Sequence, residues 1–373
     1  MSLSVNRNKS IGCENPVLVF ANYKDGFLYN PFSLEYVIYD ISTTDKKVNP
    51  VQVFPVAGRQ GVDLNDCADG GDRLSLGRFA AEWSVGGGQA LGDHRIEWFV
   101  VTEDGATEQT YSQKFQVLPE DEVIPAGYIT ISDMRREGVT VDMASDDRVL
   151  LAIKLATDFI DRITGRGFSS SYKTIKFDGR GGPKLLLMEP IIALESMRIE
   201  ELPYFTSGDT LITPDTLKVY NRHIERNLVS PDDRSNPKIE LRATAILEGR
   251  RTVDINLFQV VNFPRGQQNI EVTGVFGFTD PDGSTLGSTP EEIKLVARKL
   301  ALRELPELLD FDAREDFQNR FKITREKTRD QLIQYIERPA GRANTAFFGY
   351  FTGDPLIDNI LAAYMRPPAL GSA

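Results

Sequence analysis

The sequence predicts an α+β chain in which an all-β sandwich precedes a helical bundle carrying a β-strand insertion. Three observations predict it. Short runs rich in Val, Ile, Phe, Tyr and Trp, separated by turn residues, fill the first ~120 positions. The periodicity then switches to the helical one around Val149–Ile163. Strand-like runs return over 172–278 before two more helical patterns close the segment.

The first strands are read at Pro16–Phe20, Phe32–Ile41, Val51–Phe54, Arg78–Val85, His94–Thr102 and Thr110–Leu118. Turns such as Lys24-Asp25-Gly26, Gly86-Gly87-Gly88 and Glu103-Asp104-Gly105 separate them. Ile96, Trp98 and Val100 alternate with Glu97 and Phe99, so they share one face. About seven strands in about 100 residues is a sandwich pattern. Residues 1–120 therefore resemble an immunoglobulin-like or fibronectin-like domain in fold only, because neither Cys13 nor Cys67 lies in the strands that would carry an inter-sheet cystine. Trp83 and Trp98 read as core.

Residues 121–128 are read as a linker, with Pro119 and Pro125 bracketing the acids Glu120, Asp121 and Glu122. A helix over about 145–164 follows. Ser145 is placed to cap it, Asp146 and Asp147 favour its positive end, and Gly165 stops it. Val149, Ile153, Ala156, Ile160 and Ile163 form one stripe, with Leu151, Leu155 and Phe159 in a second beside it. So wide an apolar face calls for more than one neighbour. The insertion is read as strands Tyr172–Phe177, Lys184–Met188, Ile191–Ile199, Thr216–Val219, Lys238–Ala243 and Asn269–Phe278. A second helix spans about 290–305, with Thr289 as cap, Pro290 in the first turn and Pro306 as its stop or kink. A third is expected over 314–337, with a sparse stripe (Phe317, Phe321, Leu332, Tyr335) read as a subunit interface. The tail 339–373 gathers Phe347, Phe348, Tyr350 and Phe351, then a short apolar helix holding Ile357, Leu361 and Tyr364. Both groups read as a surface for docking a partner.

Composition narrows the function. The chain has 373 residues, 41% hydrophobic and 26% charged, with a net charge of −11. That balance argues against a broad basic face for nucleic acid. Residues 1–124 carry 18 acids and 10 bases, so most of the acid excess is on the sandwich. Two histidines (His94, His223) and two cysteines cannot build a Cys/His zinc cluster of the usual spacing, and no disulfide framework is expected. The start of the chain has no signal-peptide pattern and no run of 18 apolar residues occurs, so no membrane role is expected.

No catalytic constellation emerges. Gly179-Arg180-Gly181-Gly182-Pro183-Lys184 lacks the spacing of a phosphate loop and reads as a hairpin turn. Asp63–Gly70 has the wrong order for an EF-hand and reads as a solvated turn. A Cys67–His94 pair has nothing to orient it, His223 reads as a strand-end residue, and Asp232-Asp233 reads as loop. No enzyme, cofactor or metal is expected.

The functional expectation comes from a resemblance. Ile131-Ser132-Asp133-Met134-Arg135, the helix ending Thr164-Gly165-Arg166-Gly167-Phe168, Phe177-Asp178-Gly179 leading to Leu185-Leu186-Leu187 and Pro190-Ile191, Phe263-Pro264-Arg265-Gly266, and Pro290-Glu291-Glu292-Ile293-Lys294 follow in an order similar to the head–tail adaptor (connector, head-completion) proteins of tailed bacteriophages. The resemblance spans about Ile129 to Glu337. It implies an adaptor domain over 129–338, helical with its β insertion, and a portal-docking tail over 339–373. It also implies a non-enzymatic virion protein of the neck, made in the host bacterial cytoplasm. The implied partners are a twelve-subunit ring of itself, the phage portal protein, and a stopper or tail-terminator or tail protein. DNA would pass through the ring without sequence-specific binding. A competing expectation is a surface-binding module or adhesin whose sandwich binds carbohydrate or protein.

Overall fold

A computed structural model describes residues 3–118, 127–199, 210–212, 216–223, 232–241, 262–308, 325–327, 332–334, 352 and 354–365. It divides into two compact units. One holds Leu3–Ile124 with Ser169–Ser288, and the other holds 125–168 with 289–373.

The first unit opens with strands β1 (Ser4–Asn6), β2 (Val19–Ala21), β3 (Phe27–Leu28), β4 (Ser33–Asp40), β5 (Val51–Phe54), β6 (Arg73–Ser75), β7 (Arg78–Ala80), β8 (Gly92–Val101) and β9 (Gln109–Leu118). One sheet runs β1-β9-β8-β4-β5, and a second layer runs β2-β7-β6. The alternation along β8 sends His94, Ile96, Trp98 and Val100 inward. Trp98 packs between Phe20 (5.3 Å between ring centroids) and Tyr36 (5.2 Å), so both layers meet on one indole. Trp83 stands edge-on to Phe115 in the same core. Burial raises the Tyr36 phenol above its ordinary range, although its hydroxyl donates to the Glu82 carbonyl.

The same unit continues with β10 (Ser171–Gly179), β11 (Lys184–Leu186), β12 (Ile191–Ile199), β13 (Leu217–Tyr220), β14 (Lys238–Leu241) and β15 (Gly266–Phe276). Here the sheets are β10-β15-β12-β3 and β11-β14-β13. A core of Phe177, Leu185, Leu194, Met197, Ile239, Phe263, Ile270 and Phe276 lies between them. The sandwich and this second β layer are joined. β3 pairs in parallel with β12 at Leu194↔Phe27, the Arg78 guanidinium lies 3.9 Å from the Tyr172 ring centre, and the Ser75 hydroxyl donates to Glu195 (2.9 Å).

The expected fold class is corrected. Among the described residues 37% are in strands against 23% in helices, so the structure is mostly β and is not a helical-bundle adaptor with a β insertion. The strand-forming residues of 171–199 and 266–276 build the longest ladders of the second β layer and extend the sandwich's own sheet system. The helices form a smaller unit of α2 (Ile131–Arg136), α3 (Asp146–Thr164), α4 (Glu291–Leu308) and α5 (Pro355–Tyr364), while α1 (Thr44–Val48) belongs to the sandwich.

The expected third helix over 314–337 is corrected as well, where that segment is described. Arg325–Lys327 and Leu332–Gln334 pair as antiparallel strands. Thr324, Thr328 and Ile333 are β-branched, which weakens a helix whose apolar stripe was already sparse. The second helix runs through Pro306 to Leu308 rather than stopping before it.

Cys13 and Cys67 form a disulfide, with 5.8 Å between their Cα atoms, where no disulfide was expected. The fold brings the start of the chain beside the acidic turn. That turn is independently fixed by Arg73–Asp66 (2.7 Å) and by the Asp72 carboxylate accepting from the Asp63 N–H (2.8 Å). Any Cβ on Gly71 would meet the Asn65 carbonyl at 2.3 Å, so only glycine allows the two arms of this turn to close.

Candidate assembly surface

The helical unit is organised around α3. Its Val149, Ala152, Ile153, Ala156 and Ile160 are buried against α4, which contributes Ile293, Val296, Ala297, Leu300 and Ala301. Alanines on both helices let the backbones approach closely. Gly127 sits tighter still, since a Cβ there would lie 2.5 Å from the Ile153 Cγ2. Gly165, with φ of 65°, ends α3 in the left-handed turn that glycine favours. Ser145 occupies the cap position of α3, but its side chain makes no capping bond. The Thr289 hydroxyl donates to the Phe168 carbonyl (2.9 Å), which ties the start of α4 to the end of α3 across 121 positions of sequence. Phe168 stands edge-on to Tyr128 (5.7 Å) and to Tyr364 (5.5 Å).

That last contact places part of the expected docking tail. Ile357 and Leu361 are 0% exposed and Tyr364 is 7% exposed, on the α5 face that packs on α3 and α4. The expectation that these three insert into a partner is corrected: they complete the chain's own helical core. Phe347, Phe348, Tyr350 and Phe351 lie outside the described residues, as do Phe317, Phe321 and Tyr335. Leu332 starts the second strand of the short pair.

The second stripe of α3 has the opposite fate. Leu151 is 46% exposed and Leu155 is 41% exposed, one helical turn apart. Phe159, half-buried, continues the line, with the Arg162 guanidinium 5.8 Å from its ring centre. Asp147, Lys154 and Asp158 flank it and are exposed. Val141 and Met143, exposed in the turn leading into α3, add apolar surface to the same unit. A helix with one finished face and a continuous apolar line on the other can dock a partner.

His94, Asp40 and the two cysteines are committed to the fold. His94 is fully buried: its Nδ1 meets the Gly92 carbonyl at 3.0 Å and its Nε2 meets the Gln89 amide at 2.9 Å. Burial lowers its pKa from the ordinary value; Asp40 and Asp93 oppose that lowering and Lys46 adds to it. Cys67 is in the disulfide, so the Cys67–His94 pair has no thiol. For Asp40, burial raises the carboxyl, but the Lys46 ammonium and Ser42 outweigh it and hold the group below the usual range.

A cleft of about 110 Å³ is bordered by Tyr23, Asn221, His223 and Arg234. Its polar atoms are in use. Tyr23 donates to the Thr285 carbonyl (3.0 Å), Asn221 to the Ile192 carbonyl (2.6 Å), and Arg234 binds Asp280 (2.7 Å) and Asp232. Arg234 is a clasp for the 279–288 loop rather than an anion receptor. Among the described residues no three His, Cys, Asp or Glu side chains gather where a metal ion could be held. No described helix is long and apolar enough to cross a membrane.

No protein-family model matches the chain, and no curated protein matches its sequence. The exposed apolar line was half visible in the sequence. The two stripes of α3 are spaced as read, but which one stays uncovered depends on where α4 and α5 pack.

Proposed function

We propose that the chain is a structural protein of the tailed-phage neck, a head–tail adaptor that forms a ring between the portal and the next neck or tail protein. One observation carries the reading. Three of the adaptor-like phrases, within 129–168 and 289–305, are separated by a long β insertion, yet these stretches pack as one helical unit with α3 on α4. The proposal does not rest on a helical-bundle fold. It rests on this small unit and on its uncovered apolar line.

In this reading the subunit contact uses Leu151, Leu155 and Phe159. Closed rings need a patch on each copy that is unsatisfied in the monomer. The acid excess of the chain suits a channel that must not retain DNA, because carboxylates repel phosphate. A sandwich acting as a separate adhesin would be expected to work on its own. Here it shares a sheet with the second β layer through β3 and β12, which favours a bracing role.

The test is the mass of the purified full chain in solution, measured by light scattering, for the wild type and for Leu151→Glu/Leu155→Glu. The reading expects a ring, or concentration-dependent assembly, that the double substitution abolishes while the fold persists. A wild type that stays monomeric at every concentration, alone and with portal protein, would contradict it.

A further inference from the structure

The turn between β10 and β11 and the loop before β15 each carry one arginine that the fold leaves without an acidic partner. Arg180 is exposed in that turn, and Arg265 is exposed in the loop leading into β15. The two loops are stitched together. The Gly179 N–H donates to the Asn269 side chain (2.9 Å), the Gln268 N–H to the Asp178 carboxylate (2.7 Å), and the Phe263 N–H to the Gly182 carbonyl (2.9 Å). The side chain of Arg265 lies across Gly181: a Cβ there would meet its Nε at 2.7 Å, and Gly181 has φ of 78°. The two guanidinium side chains therefore start from adjacent points of one pinned tip.

Nearby cations are neutralised. Lys176 faces Glu271 (3.9 Å), Lys184 faces Glu240 (3.8 Å) and Lys173 is paired with Glu189. Among the described residues, neither Arg180 nor Arg265 has an ion pair or hydrogen bond through its side chain. Two unpaired arginines on neighbouring, pinned loops can offer donors to phosphate oxygens.

We propose that the Arg180–Arg265 tip contacts the phosphodiester backbone of duplex DNA. The choice of DNA over other polyanions rests on the neck reading above. The contact has no base-reading element, so it is independent of sequence. It is also weak per copy, because the remaining surface of a chain with net charge −11 repels the duplex. Repetition around a ring would make many such contacts at once, which centres the duplex while leaving it free to slide.

The experiment is fluorescence anisotropy of a short labelled duplex titrated with the full chain at several salt concentrations. Arg180→Ala/Arg265→Ala is compared with the wild type. Arg222→Ala/Lys24→Ala, which removes the same charge from two other exposed sites, serves as control. With two phosphates contacted per chain, the log–log salt dependence should have a slope near about −1.8, and the tip variant should lose at least about fivefold in affinity at low salt with a flatter slope. The control should match the wild type, Arg180→Lys/Arg265→Lys should retain most of the binding, and excess pyrophosphate should compete.

Equal binding by the tip variant and the wild type, an equal loss in the control, or no wild-type binding at low salt would each overturn the proposal. Its failure is separable from that of the neck reading. A chain present in the neck ring whose tip variant binds DNA normally refutes only the tip, whereas arginine-dependent binding by a chain absent from particles upholds the tip alone.

Discussion

The sandwich and the helical unit treat their apolar residues in opposite ways. The sandwich closes its core, with Trp98, Tyr36, Phe20 and Phe79 at most 2% exposed, and a disulfide ties its start to the acidic turn. The helical unit finishes one face of α3 with α4 and α5 and leaves Leu151 and Leu155 in the open. The difference separates residues that hold the chain together from residues available to a partner. Mutations in the first set should cost stability, and mutations in the second should cost assembly.

The largest effect is expected at the sandwich centre. Trp98→Ala should cost about 3–5 kcal/mol, read by chemical denaturation, because it removes the indole that Phe20 and Tyr36 share. Next comes the disulfide, which links positions 54 apart. Reducing it, or Cys67→Ser, should cost about 4 kcal/mol on the chain-entropy account, and free-thiol titration of the native protein should read zero until a reductant is added. A native protein with two free thiols would remove this staple from the comparison.

In the helical unit, Ile153→Ala should cost about 2–4 kcal/mol, since its side chain is 1% exposed between α3 and its neighbours. Leu151→Ala and Leu155→Ala should each shift stability by no more than about 0.5 kcal/mol, as expected for exposed sites, while weakening self-association. Equal destabilisation by Ile153→Ala and Leu155→Ala would break the distinction between the two faces of α3.

The smallest effect is a pH dependence within the sandwich. Burial lowers the pKa of His94, so the unfolded chain takes up a proton at higher pH than the folded one does. The His94 contribution is therefore complete above about pH 6.5 and is lost as pH falls below it, by at most about 1.4 kcal/mol per pH unit. His94→Gln should flatten the stability–pH curve in that window. Asp40 acts in a lower window. Its carboxyl is held below the ordinary range, so its contribution is lost only as pH falls below about 4.

Much of this architecture was legible because it is local. Ile191–Ile199 and Val51–Phe54 are strands with the limits their composition implied, Ile96, Trp98 and Val100 share a buried face, and Gly165 ends α3. Helix α2 was missed, although Thr130 and Asp133 form a capping box around its start and could have flagged it. The disulfide and the β3–β12 pairing join residues that only the folded chain brings together, so no spacing rule marks them. The Pro355–Tyr364 helix was read one residue too long, to Met365, and with the wrong role, because its apolar residues have a partner inside the chain. The same limit applies to the stripe on α3: periodicity finds an apolar line, and only packing shows which line is left over.

The most direct test of the neck assignment is the copy number of this chain in purified tailed particles, measured by quantitative mass spectrometry. The account predicts about a dozen copies per particle, the ring size that the resemblance to head–tail adaptors implies. Hundreds of copies, or none, would contradict it.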